Sequence, residues 1–137
     1  MKPSELLYMN TTALAFMGDA VYETYVRAFL VASVKTGADK LHRASVQYVR
    51  AEAQAKALKA LLDNLSPDEL GLVKRARNKR SMTKPKNADP VLYKWATAFE
   101  ALIGYLYLSG LTERMEEIIR FAMENIRDEN GKKTDQE

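Results

Sequence analysis

From Trp95 to Thr112 the chain runs for 18 residues with a single charged side chain, Glu100. A stretch that is apolar on nearly every face either crosses a membrane or lies in the middle of a domain. Here Gly104 and Gly110 interrupt it, and helix punctuation brackets it, Asp89-Pro90 before and Thr112 after. That pattern predicts a buried central helix rather than a membrane span. A second segment repeats the design: between Thr11 and Tyr22 the only charge is Asp19. The 137 residues suffice for one domain with a sizeable core.

The remaining punctuation is helical too. Asn10 or Thr11 can cap a helix reaching about Ser33, with Gly37 in the turn that follows. Asp39 opens a second helix to about Leu62, with Leu41, Val46, Val49, Ala53, Leu58, Leu61 and Leu62 approximating a helical stripe. Ser66-Pro67-Asp68-Glu69 combines a capping serine, a first-turn proline and a glutamate three residues after the cap. It predicts a third helix to about Asn78. A fourth runs from Pro90 to Gly110, and a fifth starts at Thr112 and decays into the polar tail Asp128–Glu137. No run alternates with a period of two between hairpin turns, so no sheet is expected. The expected architecture is all-α, with one domain over residues 1–127 and a tail over 128–137.

Composition removes several chemistries. The chain has no cysteine and one histidine, His42, which excludes disulfides, thiolate metal sites and multi-histidine clusters and disfavours a serine–histidine triad. His42 reads as a surface or structural residue. The N-terminal residues lack the long apolar core and small-residue cleavage site of a secretory signal, so a soluble cytoplasmic protein without a membrane partner is expected.

Asp19 and Glu100 are the carboxylates that demand an explanation. A buried, unpaired carboxylate costs several kcal/mol or takes up a proton, so it persists when paired, hydrogen-bonded or bound to a cation. Both are expected to be at least partly buried. Gly18 adjoins Asp19, and Gly104 follows Glu100 by one turn. Glycine inside a helix is unfavourable by about 1 kcal/mol relative to alanine, so a compensating close approach of the two helices, bringing the acids face to face, is expected. Oxygen donors without histidine or cysteine suit a hard cation such as Mg²⁺ or Mn²⁺. Pairing with an arginine or a backbone group is the other reading, and both remain open at this point. Glu23 shares the face of Asp19 and is a weaker candidate, with an ion pair to Arg27 as its simpler role.

The chain's net charge of +3 conceals a strong segregation. Lys74, Arg75, Arg77, Lys79, Arg80, Lys84, Lys86 and Lys94 face only Asp89 across residues 74–94, so this stretch carries +7 and the other 116 residues carry −4. Its centre, Lys79–Asp89, is expected to be a loop leading into the Glu100 helix. Cations beside a carboxylate–metal site suit a phosphodiester substrate. Tyr93 is the segment's only aromatic, which favours recognition of a duplex backbone over stacking on single strands. A solvated surface run is the plainer alternative. Tyr105 and Tyr107 read as core or interface aromatics.

Phe16-Met17-Gly18-Asp19-Ala20-Val21 resembles the signature helix of the ribonuclease III family, and Phe99-Glu100-Ala101-Leu102-Ile103-Gly104 with Tyr107-Leu108 resembles its second metal-binding helix. The helix from Leu41 to Ala57 is similar to the one between them, and the resemblance extends from about Asn10 to Asn125. With little sequence after the catalytic fold, the chain is most similar to the Mini-III branch, which stands alone without a double-stranded-RNA-binding domain. The family resemblance implies a helical homodimer with one metal-dependent site per subunit, cleaving double-stranded RNA to leave 5′-phosphates and 3′-hydroxyls. It further implies a role in trimming the 23S ribosomal RNA precursor. On that reading Asp19 and Glu100 are the catalytic metal ligands, holding Mg²⁺ with Mn²⁺ as a substitute, and Glu23 and Thr97 are candidates to support the ion from further out. Lys74, Arg75, Arg77, Lys79, Arg80, Lys84 and Lys86 are the candidate RNA-binding residues. Two positions depart from the wider family pattern, Ala15 and Thr97 standing where it has a glutamate and an aspartate. They leave the number of metals per site open. They also motivate the competing reading, a non-catalytic helical RNA-binding or assembly module.

Overall fold

A computed structural model describes residues 1–33, 37–80 and 89–136. Among these residues every regular element is helical: α1 (Pro3–Leu6), α2 (Thr11–Ser33), α3 (Ala38–Val49), α4 (Ala51–Leu61), a single 3₁₀ turn (Leu62–Asn64), α5 (Pro67–Asn78), α6 (Pro90–Leu108) and α7 (Thr112–Gln136). The all-α expectation holds.

The apolar run is the central helix. In α6 the residues Ala101 to Leu106 are buried without interruption, and α2, α4, α5 and α7 pack around it. Asp89 caps its start by accepting from the backbone N–H groups of Val91 (2.9 Å) and Leu92 (3.4 Å). At its end Gly110 takes φ 73°, and the N–H groups of Gly110 and Leu111 return to the carbonyls of Tyr107 and Leu106. This double return needs a left-handed residue, which glycine supplies without strain.

Ser66 and Glu69 form the expected capping box at the head of α5. The sequence did not reveal that Glu69, only 5 % exposed, also receives the Arg114 guanidinium of α7, through Nε to Oε2 and Nη2 to Oε1, both at 2.9 Å. Burial pushes this carboxyl up, but the hydrogen bonds from Arg114 and from the Ser66 backbone outweigh burial and leave it below its ordinary value.

Two boundaries differ from expectation. The helix predicted from Asp39 to Leu62 is broken at Arg50, whose extended backbone (φ −65°, ψ 149°) ends α3 and starts α4. No glycine or proline marks the break. It allows α3 to lie along α2 while α4 turns to pack on α6 and α7, and the Tyr22 hydroxyl donates to the Tyr48 carbonyl just before the bend. The last helix continues through the polar residues to Gln136 instead of decaying near residue 127. No helix among the described residues is long and apolar enough to cross a membrane.

Candidate active site

Helices α2 and α6 meet backbone to backbone. A methyl group on Gly18 would lie 1.7 Å from the main-chain oxygen of Glu100, and one on Gly104 would lie 1.9 Å from that of Leu14. No larger residue fits at either position without separating the helices. Tyr22 and Phe99 fill the same seam, ring edge to ring face at 4.9 Å.

This contact sets the two acids side by side. Burial, the negative charge of Asp19 and a hydrogen bond with it push the Glu100 carboxyl up to about 8. Glu100 is half-buried, as expected, but Asp19 is exposed. The expectation that both are buried fails because the Asp19 side of α2 is an apolar surface: Ala13 and Ala20 are exposed, and Phe16 is 84 % exposed. A lone charge on an apolar helix therefore marked a surface facing outward, not a core.

Neither auxiliary candidate turns to this pair. Glu23 accepts from Arg27 Nη2 at 2.6 Å, the ion pair anticipated from their spacing. The Thr97 hydroxyl donates to the Tyr93 carbonyl at 2.9 Å, within its own helix. Ala15 is buried. Among the described residues no cluster of three or more acidic or histidine side chains gathers, so the site presents two carboxylates. His42 is exposed, Tyr105 is buried and Tyr107 is exposed.

The basic candidates separate by helical face. Lys74 and Arg80 are exposed. Arg77 places its guanidinium 5.0 Å from the Trp95 ring centroid, with the Lys59 ammonium 5.2 Å from the same centroid. Arg75 and Lys79 instead reach the chain between α1 and α2. Arg75 Nη2 donates to the carbonyls of Leu7 and Met9, and Lys79 Nζ donates to Asn10 Oδ1 at 2.7 Å and Thr12 Oγ1 at 3.0 Å. Sequence reading missed these partners, because those of Arg75 are main-chain carbonyls, which have no residue signature, and those of Lys79 lie 69 and 67 positions away along the chain. Lys84 and Lys86 lie outside the described residues.

Comparison with known proteins decides what this arrangement is. Residues 12–111 match the profile of the Ribonuclease III domain. The chain belongs to the ribonuclease III family. Within the family its relatives are short proteins named Mini-ribonuclease 3. That of Brevibacillus brevis is 50 % identical over 113 residues, 82 % of this chain and 84 % of the relative. Those of Thermoanaerobacter sp. and Enterococcus faecalis are each 43 % identical, over 88 % of this chain and 85 % of the relative in the first case and 90 % and 96 % in the second. A crystal structure of a Fusobacterium nucleatum protein superposes with a TM-score of 0.76 at 28 % identity, covering 86 % of this chain and 94 % of the other. The chain is thus an endoribonuclease of the ribonuclease III type, in the Mini-III branch. The ribonuclease III family acts on double-stranded RNA and generally uses divalent metal ions.

Proposed function

We propose that this ribonuclease III-family chain cleaves duplex stems of the 23S ribosomal RNA precursor in the cytoplasm, as a homodimer, with Asp19 and Glu100 holding Mg²⁺, for which Mn²⁺ can substitute. The observation that carries the reading is the paired carboxylates. Two acids are pressed together by a glycine-only contact, and burial first, then the charge of Asp19 beside it, raises the Glu100 carboxyl to about 8, so the site holds negative charge unfavourably. A hard divalent cation with oxygen ligands would relieve it, and the donor set fits such an ion.

When bound, the ion supplies Lewis-acid polarisation of the phosphate and a lowered pKa for the attacking water. The protein's part is placement. Asp19, exposed beside the half-buried Glu100, leaves the outer side of the pair open to a phosphodiester. Water adds to phosphorus as the bond to O3′ breaks, and the proton passes to O3′, so the ends are a 5′-phosphate and a 3′-hydroxyl. Lys74, Arg77 and Arg80, with Lys84 and Lys86, neutralise backbone phosphates. Duplex shape and 2′-hydroxyls supply selectivity, since the deep major groove of A-form RNA hides base edges.

The dimer rests on the apolar face around Phe16, next to Asp19. A phenylalanine 84 % exposed beside exposed Ala13 and Ala20 is a surface that a second copy would cover. Two sites related by a two-fold axis would cut the two strands and leave short 3′ overhangs.

The deciding experiment incubates the purified protein with a labelled ribosomal-RNA stem, with and without Mg²⁺, and maps the product ends. Ion-dependent double cuts with 5′-phosphates support the reading. Duplex binding without any cut would favour the non-catalytic module, for which the two-carboxylate site and Ala15 speak.

A further inference from the structure

We propose that Arg75 and Lys79 are positioning residues for the cleavage reaction: they fasten the start of α2, and through it Asp19, and do not contact RNA. The proposal rests on the reading of Asp19 and Glu100 given above.

Arg75 lies in the last turn of α5 and Lys79, four residues on, is the residue that caps its end. Arg75 holds the carbonyls of Leu7 and Met9 and sets its guanidinium 5.7 Å from the Tyr8 ring centroid. Lys79 holds Asn10 Oδ1 and Thr12 Oγ1. The same Asn10 oxygen accepts from the Thr12 N–H at 2.8 Å, capping α2. The two cations therefore clasp an unbroken piece of chain, residues 7–12, ending at the cap of the Asp19 helix. Gripping phosphate would take both away from these acceptors and deprive the carbonyls of Leu7 and Met9 of the Arg75 donor.

Gly104 against Leu14, Gly18 against Glu100 and Tyr22 against Phe99 fix the middle of α2 on α6, and α3 packs along α2 as well. The clasp adds anchorage of the first turn of α2, about 13 Å along the axis from Asp19 at 1.5 Å per residue, where the helix would otherwise fray. Misplacing a reacting group by about 1 Å can lower a rate on the order of 10²-fold.

The test compares Lys79→Met, Asn10→Ala and the double variant on a labelled duplex, well below their unfolding midpoints. Lys79 is exposed, so its variant should fold. Positioning predicts that each single change lowers kcat about tenfold with KM and salt dependence unchanged. The double variant should be no worse than Asn10→Ala, and Asn10→Asp, which keeps the acceptor, should keep kcat. A phosphate contact predicts the reverse: Lys79→Met raises KM, flattens the log–log salt slope by about 0.9 and adds to Asn10→Ala. That outcome overturns the proposal. Hydrogen exchange supplies a readout independent of activity. Amides over residues 11–20 should exchange faster in both single variants, and unchanged exchange also overturns it. The pair Lys74→Ala and Arg77→Ala separates the two ideas: if the slope is unchanged in both, the RNA grip of α5 fails while the clasp is still judged by kcat and exchange.

Discussion

Two parts of the molecule concentrate charge of one sign, and they accommodate it in opposite ways. Between α2 and α6, Asp19 and Glu100 are forced together by a main-chain contact that only glycine permits, and burial, with the charge of Asp19 beside it, raises the Glu100 carboxyl. Along α5 the cations disperse. Arg75 and Lys79 go to the α1–α2 connection, Arg77 goes to Trp95, and Lys74 and Arg80 point to solvent. Like charges held together against repulsion mark a place that a counter-charge completes. Cations that each find a separate neighbour are divided between architecture and binding: those that clasp the α1–α2 connection serve the fold, and Lys74, Arg77 and Arg80 remain for a phosphate.

The sharpest way to break this comparison is to neutralise the acidic pair. Asp19→Asn or Glu100→Gln should lower duplex cleavage on the order of 10³-fold, since losing an ion's ligand forfeits several kcal/mol of transition-state stabilisation. Near-normal cleavage by either variant in Mg²⁺ would dissolve the contrast between the two regions.

The contact beneath the pair comes next. Gly18→Ala or Gly104→Ala should destabilise the fold by about 3 kcal/mol, because the new methyl meets backbone and neither helix can move aside cheaply. Thermal melts read this directly. A neutral outcome would mean that the acids are not pressed together.

A smaller effect, of comparable kind, concerns Glu69. Arg114→Ala leaves that buried carboxylate without its guanidinium and should destabilise by about 2 kcal/mol. With Arg114 present, Glu69 stabilises the fold at neutral pH and the contribution fades as acid protonates it below the usual carboxylate range. Chemical denaturation of both proteins across acid pH checks the size and the sign.

Glu100 has the opposite sign. Folding raises its pKa from 4.5 to about 8, so the folded protein binds the proton more tightly and loses stability as pH rises across that window. Glu100→Gln should therefore raise the melting temperature of the metal-free protein at pH 8 by a few degrees while removing activity, and added Mg²⁺ should stabilise only the parent. Smallest of all, Arg77→Ala should flatten the salt dependence of duplex binding by about 0.9 in log–log slope and weaken it only modestly. A slope unchanged by Arg77→Ala would assign Arg77 to Trp95 alone and leave Lys74 as the phosphate contact of α5.

How far these regions were legible from the residues follows the same division. The central helix, its caps and the facing glycines were readable because capping and apolar periodicity are local properties of the chain. Residues 16–21 and 99–104 identified the acids as a pair for the same reason. The break at Arg50 was not readable, since no breaker residue stands there and the bend answers to packing against α2, α6 and α7. The outward turn of Asp19 was hidden because an apolar helix face looks the same whether a core or a partner covers it.

By itself, then, the order of residues determined an all-helical chain, its apolar axis, and two acids flanked by glycines that let their helices touch. The tertiary structure decided which acid faces solvent and which of the α5 cations are already spoken for. Helix type and caps depend on neighbours within a few residues, whereas exposure and partnership depend on main-chain oxygens such as those of Leu7 and Met9, more than sixty positions from the arginine they hold.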